Sequence, residues 1–222
     1  YLIKAVKLFS SSKLKENKGN ILDLCTGSGV IGQAIFPKGW NLTGVDINPR
    51  AISYAKFNAS LNNLEATYKI LNVVTDKNNG EYDIITANPP YNSLVQNSDN
   101  DNPEDITLHS GVTGNIVPDA CTLYAKNTLK DGGYFFMCGI MLFNDLIPAN
   151  ESIKTLAKEG TVLVVHKAIS KVNSWEGMRL LHNAQPNFDK IIEGEFDKIY
   201  EENDGFTDVG WAIIIYRKGG KK

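Results

Sequence analysis

Asn88-Pro89-Pro90-Tyr91 closes an apolar run, Tyr82 to Ala87, that has the makings of a buried strand. Consecutive prolines end strand pairing, because neither carries a backbone N–H to donate. A residue before proline is held toward extended geometry, so Asn88 is biased that way while Pro89 and Pro90 stiffen the turn. The turn then offers a fixed amide oxygen from Asn88, the backbone carbonyl of Pro89, and the Tyr91 ring beside them. Two acceptors and a flat ring suit a planar NH2 group, on an amide or an aromatic base. The acceptors take its two hydrogens, and the ring stacks on its face. Held in this way, the nitrogen turns its lone pair out of the neighbouring π-system and toward an electrophile. Rigid positioning of this kind is catalytic without an acid or base of its own. Asn88, Pro89 and Tyr91 are the candidate catalytic residues, and Asn88, Pro89, Pro90 and Tyr91 the candidate substrate-binding set.

A second constellation lies upstream. "DLCTGSGVIG" places Gly27, Gly29 and Gly32 in a G-x-G-x-x-G pattern after one apolar run and before another of helical character. Such glycines let the backbone turn sharply and let a ligand approach the main chain. The pattern alone fits a dinucleotide fold and a methyl-donor fold equally. Asp46 ends the next apolar run, where an acid can accept hydrogen bonds from both hydroxyls of an adenosine ribose. Asn72, with Val73 behind it, is expected to end the third strand and to read the adenine edge. Three strand ends then line one ribonucleoside cleft at the carboxyl edge of a sheet. Cys25 reads as a small buried packer, with no base assigned beside it.

The elements that must position these residues follow from periodicity. Leu2, Ile3, Val6 and Phe9 have helical spacing. Strands are expected at 20–25, 41–47, 66–74, 82–87 and 134–140, with two more in "TVLVVHKA" and "WAIIIY". Helices are expected from "VIGQAIF", from Asn48-Pro49 onward, near 117–129, and over "ESIKTLAKEG" up to a capping Gly160. Alternating strands and helices predict an α/β fold: a doubly wound, seven-stranded, mostly parallel sheet with an insertion before the last strand. Residues 1–222 read as a single domain, and 171–207, with five aromatics, as an insertion or lid between the last two strands. With the sixth strand parallel to the first five, that insertion leaves from the carboxyl edge. There it would choose the acceptor together with the polar "NSDNDNPED" segment. Ile213-Ile214-Ile215 is apolar on both faces and reads as an interior strand.

Composition narrows the classes. A chain of 222 residues, 42% hydrophobic and 22% charged, fits one ordinary globular core. A net charge of −2 speaks against wholesale nucleic-acid binding. No run of about 18 apolar residues suggests a membrane span. Three widely spaced cysteines and three histidines form neither a disulfide framework nor a metal-ligand pattern, so no metal is expected and a reducing cytoplasm is. The chain starts at Tyr1 without a Met, so residues are expected upstream of it.

Taken together, "DLCTGSG", "GVDINPRAI" and "DIITANPPY" resemble the class I S-adenosylmethionine-dependent methyltransferases. The NPPY tetrapeptide marks the amino-methyltransferases, and the chain most resembles the HemK/PrmC group, which methylates a glutamine side-chain amide in release factors. "EDITLHSG" and "LKDGGYFFMCG" extend the likeness, which covers roughly residues 1–142. The resemblance implies a Rossmann-like methyltransferase fold and S-adenosylmethionine as cofactor. It implies that Thr26, Gly27, Ser28 and Gly29 wrap the methionine part and Asp46 holds the ribose. Asn72 would stand on the adenine side and Asn88 to Tyr91 would hold the acceptor amide. Asp23, Ile47, Val73 and Asn88 complete the implied cofactor set. Asn72 stands where an acid is common in the group. A release-factor-like protein glutamine is the implied partner. An adenine amino group of DNA or RNA, a small-molecule amine, and a binding module without chemistry are the alternatives, and oligomeric state is not read from the sequence.

Overall fold

In a computed structural model of the chain, the residues described are 1–77, 80–91, 110, 114–144, 147–148, 150–171 and 208–219. The segment 172–207, the core of the expected insertion, lies outside them, as does "NSDNDNPED". The helix α1 (Leu2–Phe9) and a 3-10 turn at Lys13–Lys15 precede β1 (Asn20–Leu24). Then follow α2 (Val30–Ile35), β2 (Asn41–Asp46), α3 (Pro49–Leu61), β3 (Thr67–Ile70) and β4 (Tyr82–Ala87). The second half holds α4 (Ile116–Thr128), β5 (Leu129–Asn144), a two-residue β6 (Ile147–Pro148), α5 (Glu151–Glu159), β7 (Gly160–Lys171) and β8 (Asp208–Lys218).

The strands form one sheet in the order β3-β2-β1-β4-β5-β8-β7, with β6 paired to the margin of β5. The pairings from β3 to β5 are parallel. Strand β8 runs antiparallel between β5 and β7, so β7 points the same way as β5. The expected seven-stranded, mostly parallel sheet is therefore present, and Ile213-Ile214-Ile215 occupies an interior strand. Beyond Met137 the three strands β5, β8 and β7 continue as an antiparallel extension, ending where Phe143 and Lys171 both pair with Asp208.

Successive side chains of a strand point to opposite faces, and the core divides accordingly. Leu22, Leu24, Ile85, Phe135, Met137 and Ile214 pack against α4 and α5 on one face. Ile21, Ile84, Phe136 and Ile215 pack with Leu2 and Val6 of α1, Ile35 of α2 and Trp40 on the other. Strands buried on both faces explain the continuous apolar runs that replace simple alternation. Helix α3 seats Ile52, Ala55 and Ala59 against Tyr68 of β3. It begins as Asn48 predicts: the Asn48 side chain accepts from the Arg50 N–H at 2.9 Å, and Pro49 fills the first helical position.

Three expectations about boundaries are corrected. Strand β3 stops at Ile70 rather than 74, because residues 73–75 fold into a turn. The fifth strand is longer than 134–140, since Leu129 already pairs with Tyr82 and a register shift before Ile84 absorbs the Gly132 turn at φ 76°. Gly160 does not cap α5 in a left-handed conformation: its φ is −167°, and the chain passes from helix into β7. The connection from β3 to β4 is short for a parallel crossover, which ordinarily carries a helix. Its described residues hold only a turn, leaving a groove of about 780 Å³ beside α4, lined by Val73, Gly80, Ile116 and Leu123 among others.

Gly32 explains how close α2 lies to the sheet. A Cβ there would stand 2.9 Å from Leu42 Cδ1 and 3.1 Å from Asp23 Oδ2. Gly32→Ala is expected to destabilise the fold by about 1–3 kcal/mol through overpacking. Thermal unfolding followed by circular dichroism checks this, as a lowered midpoint.

Candidate active site

One row of the sheet sets the site. Leu24 of β1 is in register with Val45 of β2 and with Ala87 of β4, and Ala87 is in register with Met137 of β5. The next residue along each chain is Asp46, Cys25, Asn88 and Cys138. The parallel pairing thus brings the acid, the start of the glycine loop and the Asn-Pro-Pro turn to one carboxyl edge, where such sheets take ligands.

The glycine loop is held by its own backbone and by β2. The Thr26 N–H donates to the Val45 carbonyl at 2.9 Å, and the Gly29 N–H to the Thr26 carbonyl at 2.9 Å. The Gly27 N–H donates to Asp46 Oδ2 at 2.9 Å. Cys25, Gly27 and Gly29 have φ of 51°, 54° and 83°, so the chain coils through three left-handed residues, of which two are glycine. A Cβ added at Gly27 would meet nothing within 4 Å, which leaves open space against the backbone where a ligand can approach. Ser28 is exposed on the same loop, and its carbonyl accepts from Asn58 Nδ2 at 2.9 Å.

Asp46 is half-buried, and its Oδ1 accepts from the Asn48 N–H at 2.9 Å. Asn48, not Asp46, caps α3. Each carboxylate oxygen of Asp46 takes one backbone N–H and retains acceptor capacity for a hydroxyl. Ile47 beside it is 42% exposed, an apolar surface fit to lie against a flat ring. Asn72 departs from expectation. It lies past the end of β3 and serves the turn that follows: its Oδ1 accepts from the Val74 N–H at 3.0 Å, and its own N–H donates to Asp76 Oδ2 at 2.9 Å. Its side-chain oxygen thus takes one local hydrogen bond, and Val73 is partly buried against the core.

Asp23 sits under the loop rather than on its surface, 1% exposed. Its Oδ2 accepts from Thr26 Oγ1 at 2.7 Å and from the Gly32 N–H at 3.1 Å, and its Oδ1 from Thr86 Oγ1 at 2.6 Å. Burial raises its pKa to about 6 from 3.8, against the lowering effect of those three hydrogen bonds. Cys25 behaves as a packer: its Sγ lies 3.9 Å from Cys121 Sγ on α4. That contact and burial push its thiol well above the usual range.

At the Asn-Pro-Pro turn, Asn88 is exposed, Pro89 buried, and Pro90 and Tyr91 half-buried. The Cys138 thiol donates to Asn88 Oδ1 at 3.1 Å. Gly139, the next residue, would bring a Cβ to 3.3 Å from Tyr91 Cδ1. Burial, with Cys138 adding to it, raises the Tyr91 phenol, which stays protonated. Sequence reasoning missed Cys138 and Gly139; their one signal is their place late in the apolar run 134–140, within β5.

The fold is that of the Rossmann-like methyltransferases. TehB from Haemophilus influenzae superimposes over 98% of this chain and 61% of its own, with a TM-score of 0.56 at 14% identity. A protein of Listeria monocytogenes assigned as a class I S-adenosylmethionine-dependent methyltransferase covers 100% of this chain and 60% of its own, with a TM-score of 0.57 at 13% identity. Residues 4–104 match the family model of the methyltransferase small domain. Among curated relatives, a protein of Methanocaldococcus jannaschii assigned as an N5-glutamine methyltransferase is 32% identical over 115 residues, 51% of this chain and 58% of its own length. The release factor glutamine methyltransferase of Thermodesulfovibrio yellowstonii is 39% identical over 92 residues, 38% of this chain and 32% of its own length. That of Fusobacterium nucleatum is 32% identical over 173 residues, 69% of this chain and 49% of its own. The chain thus spans about a third to somewhat over half the length of these relatives. The resemblance to the glutamine methyltransferase group holds.

Asp23 makes the fold pH-sensitive. Its folded pKa is raised, so its contribution to stability is fully present below pH 3.8 and is lost as pH rises through about 6. Urea unfolding between pH 4 and pH 7 is expected to show a decline on the order of 2–3 kcal/mol that Asp23→Asn removes.

Proposed function

We propose that the chain is an S-adenosylmethionine-dependent N-methyltransferase acting on a planar NH2 group, a protein glutamine side-chain amide. The observation that carries this reading is the register that sets Asn88 beside the glycine loop and Asp46 on one sheet edge. S-adenosylmethionine supplies an electrophilic methyl group when bound. The chain's residues fit it: open backbone at Gly27, an acid at Asp46 with unused acceptor capacity, and the exposed apolar face of Ile47. Thr26, Gly27, Ser28 and Gly29 hold its methionine part, Asp46 its ribose, and Ile47 with the turn at Asn72 and Val73 its base. Asp23 serves the donor through the loop it supports.

On the acceptor side, Asn88 Oδ1 and the Pro89 carbonyl take the two amide hydrogens, while the Tyr91 ring stacks on the amide plane. The lone pair would then be turned out of the amide π-system toward an electrophile without a titrating base. With donor bound, the N–CH3 bond would form as the donor's S–CH3 bond breaks, the demethylated donor leaving and the surplus N–H proton passing to solvent. Glutamine is favoured among amines by the relatives named glutamine methyltransferases. A second reading, a base amino group of RNA, has one specific support. The ribosomal RNA small subunit methyltransferase C of Erwinia tasmaniensis is 35% identical over 94 residues, 41% of this chain and 27% of its own length. Among the described residues no helix is long and apolar enough to cross a membrane.

Labelled donor incubated with lysate, then digested with protease or with nuclease, separates the two readings: label released by protease alone supports glutamine, label released by nuclease alone supports RNA. Asp46→Asn is expected to weaken donor binding about ten- to a hundredfold, since the carboxylate's charge-assisted bonds to the ribose are lost. Calorimetry checks it. Asn88→Ala is expected to lower kcat on the order of a hundred- to a thousandfold, as for a deleted oxyanion-type contact, with donor affinity within a few-fold. Single-turnover methyl transfer measures the first and calorimetry the second.

A further inference from the structure

An exposed asparagine amide turns about its terminal torsion at little cost, exchanging oxygen for nitrogen. Only the oxygen can accept a hydrogen from an incoming NH2 group. A site that works through Asn88 Oδ1 therefore needs something to hold the oxygen outward. We infer that Cys138 is the positioning residue that does so, its thiol fixing Asn88 with Oδ1 available to the acceptor. This rests on the methyltransferase reading of the site.

Three observations support it. The first is register: Cys138 follows Met137, which pairs with Ala87, so Cys138 and Asn88 are neighbours on adjacent parallel strands. The second is the contact itself, 3.1 Å from Sγ to Asn88 Oδ1. An amide oxygen has two lone pairs, so one can take the thiol hydrogen while the other remains for the acceptor. The flipped amide would aim an N–H at sulfur, a weak acceptor, and would face the incoming NH2 with another donor. The third is the floor that β5 gives the rest of the turn. Gly139, the residue after Cys138, leaves room for the Tyr91 ring, which a side chain there would crowd. Burial keeps the thiol protonated, with a pKa of about 11, so it is a donor at neutral pH.

Cys138 also packs at the margin of the apolar cluster beneath α1. Donor and packer are separable by two substitutions of opposite character. Cys138→Val keeps apolar bulk and loses the donor; Cys138→Ser keeps a donor and loses apolar character. As a positioning residue, Cys138→Val should lower kcat about three- to tenfold, the scale of one neutral hydrogen bond, with donor affinity within about twofold. Cys138→Ser should recover kcat to within about twofold of wild type even where its melting temperature is lower.

The geometry has a readout independent of turnover. The Asn88 side-chain NH2 resonances, assigned by their loss in Asn88→Ala, should shift in Cys138→Val and return toward wild type in Cys138→Ser. Unchanged resonances and kcat in Cys138→Val, or equal losses in the two variants, overturn the inference and leave the methyltransferase reading intact. Wild-type protein that binds no S-adenosylmethionine and methylates neither protein nor RNA overturns the reading on which the inference rests.

Discussion

The carboxylate of Asp23 is the point on which the glycine-loop half of the molecule turns. It lies inside the sheet, and its two oxygens serve three separate pieces of chain: Thr26 in the loop, Gly32 in α2, and Thr86 on β4. A buried carboxylate is costly unless it is hydrogen-bonded, and these three donors offset much of that cost. In return the loop cannot move without also disturbing the helix and the neighbouring strand. Gly32 lets α2 come close enough to be held, which is a packing role rather than one of ligand contact. The loop geometry that leaves Gly27 open to a ligand is thus fixed from below.

From that anchor the parallel register extends outward. Strand β1 aligns β2 on one side and β4 on the other, and β4 aligns β5. The ends of β1, β2 and β4 therefore reach one level, beside Cys138 within β5, so the acid, the loop, the Asn-Pro-Pro turn and Cys138 meet although they span more than 110 residues of chain. Rigid strands fix these positions more closely than loops would. On the opposite edge Asp83, whose carboxylate binds Lys130 Nζ at 2.9 Å and the Asn20 N–H at 2.9 Å, ties the starts of the same strands together.

Beyond β5 the sheet changes character. The antiparallel β8 closes the core with Ile213, Ile214 and Ile215 and carries the sheet past the level of Asn88. The two parts of the candidate site are therefore supported differently. The glycine loop and Asp46 rest on the ends of the short parallel strands β1 and β2, whereas the Asn-Pro-Pro turn borders the long extension of β5, β8 and β7.

The sequence by itself determined the element order, the capped start of α3 at Asn48-Pro49, the glycine loop and the abrupt end of β4. Each is a local matter of proline geometry, left-handed glycine or apolar runs, and each is decided within a few residues. Much of the candidate site was legible for the same reason, since Gly27, Asp46 and Asn88 all sit at the ends of strong strand patterns. Other features required the folded chain. Asn72 was expected to end a strand, but β3 stops at Ile70 and the Asn72 oxygen accepts from the Val74 N–H in the turn that follows, a local hydrogen bond that no apolar pattern reveals. The burial of Asp23 depends on Thr86, 63 residues away. The contact of Cys138 with Asn88, 50 residues apart, exists only because β4 and β5 pair with Ala87 opposite Met137. A one-residue change in that register would turn the thiol to the other face of the sheet, and register is a property of packed strands, not of the sequence of either one.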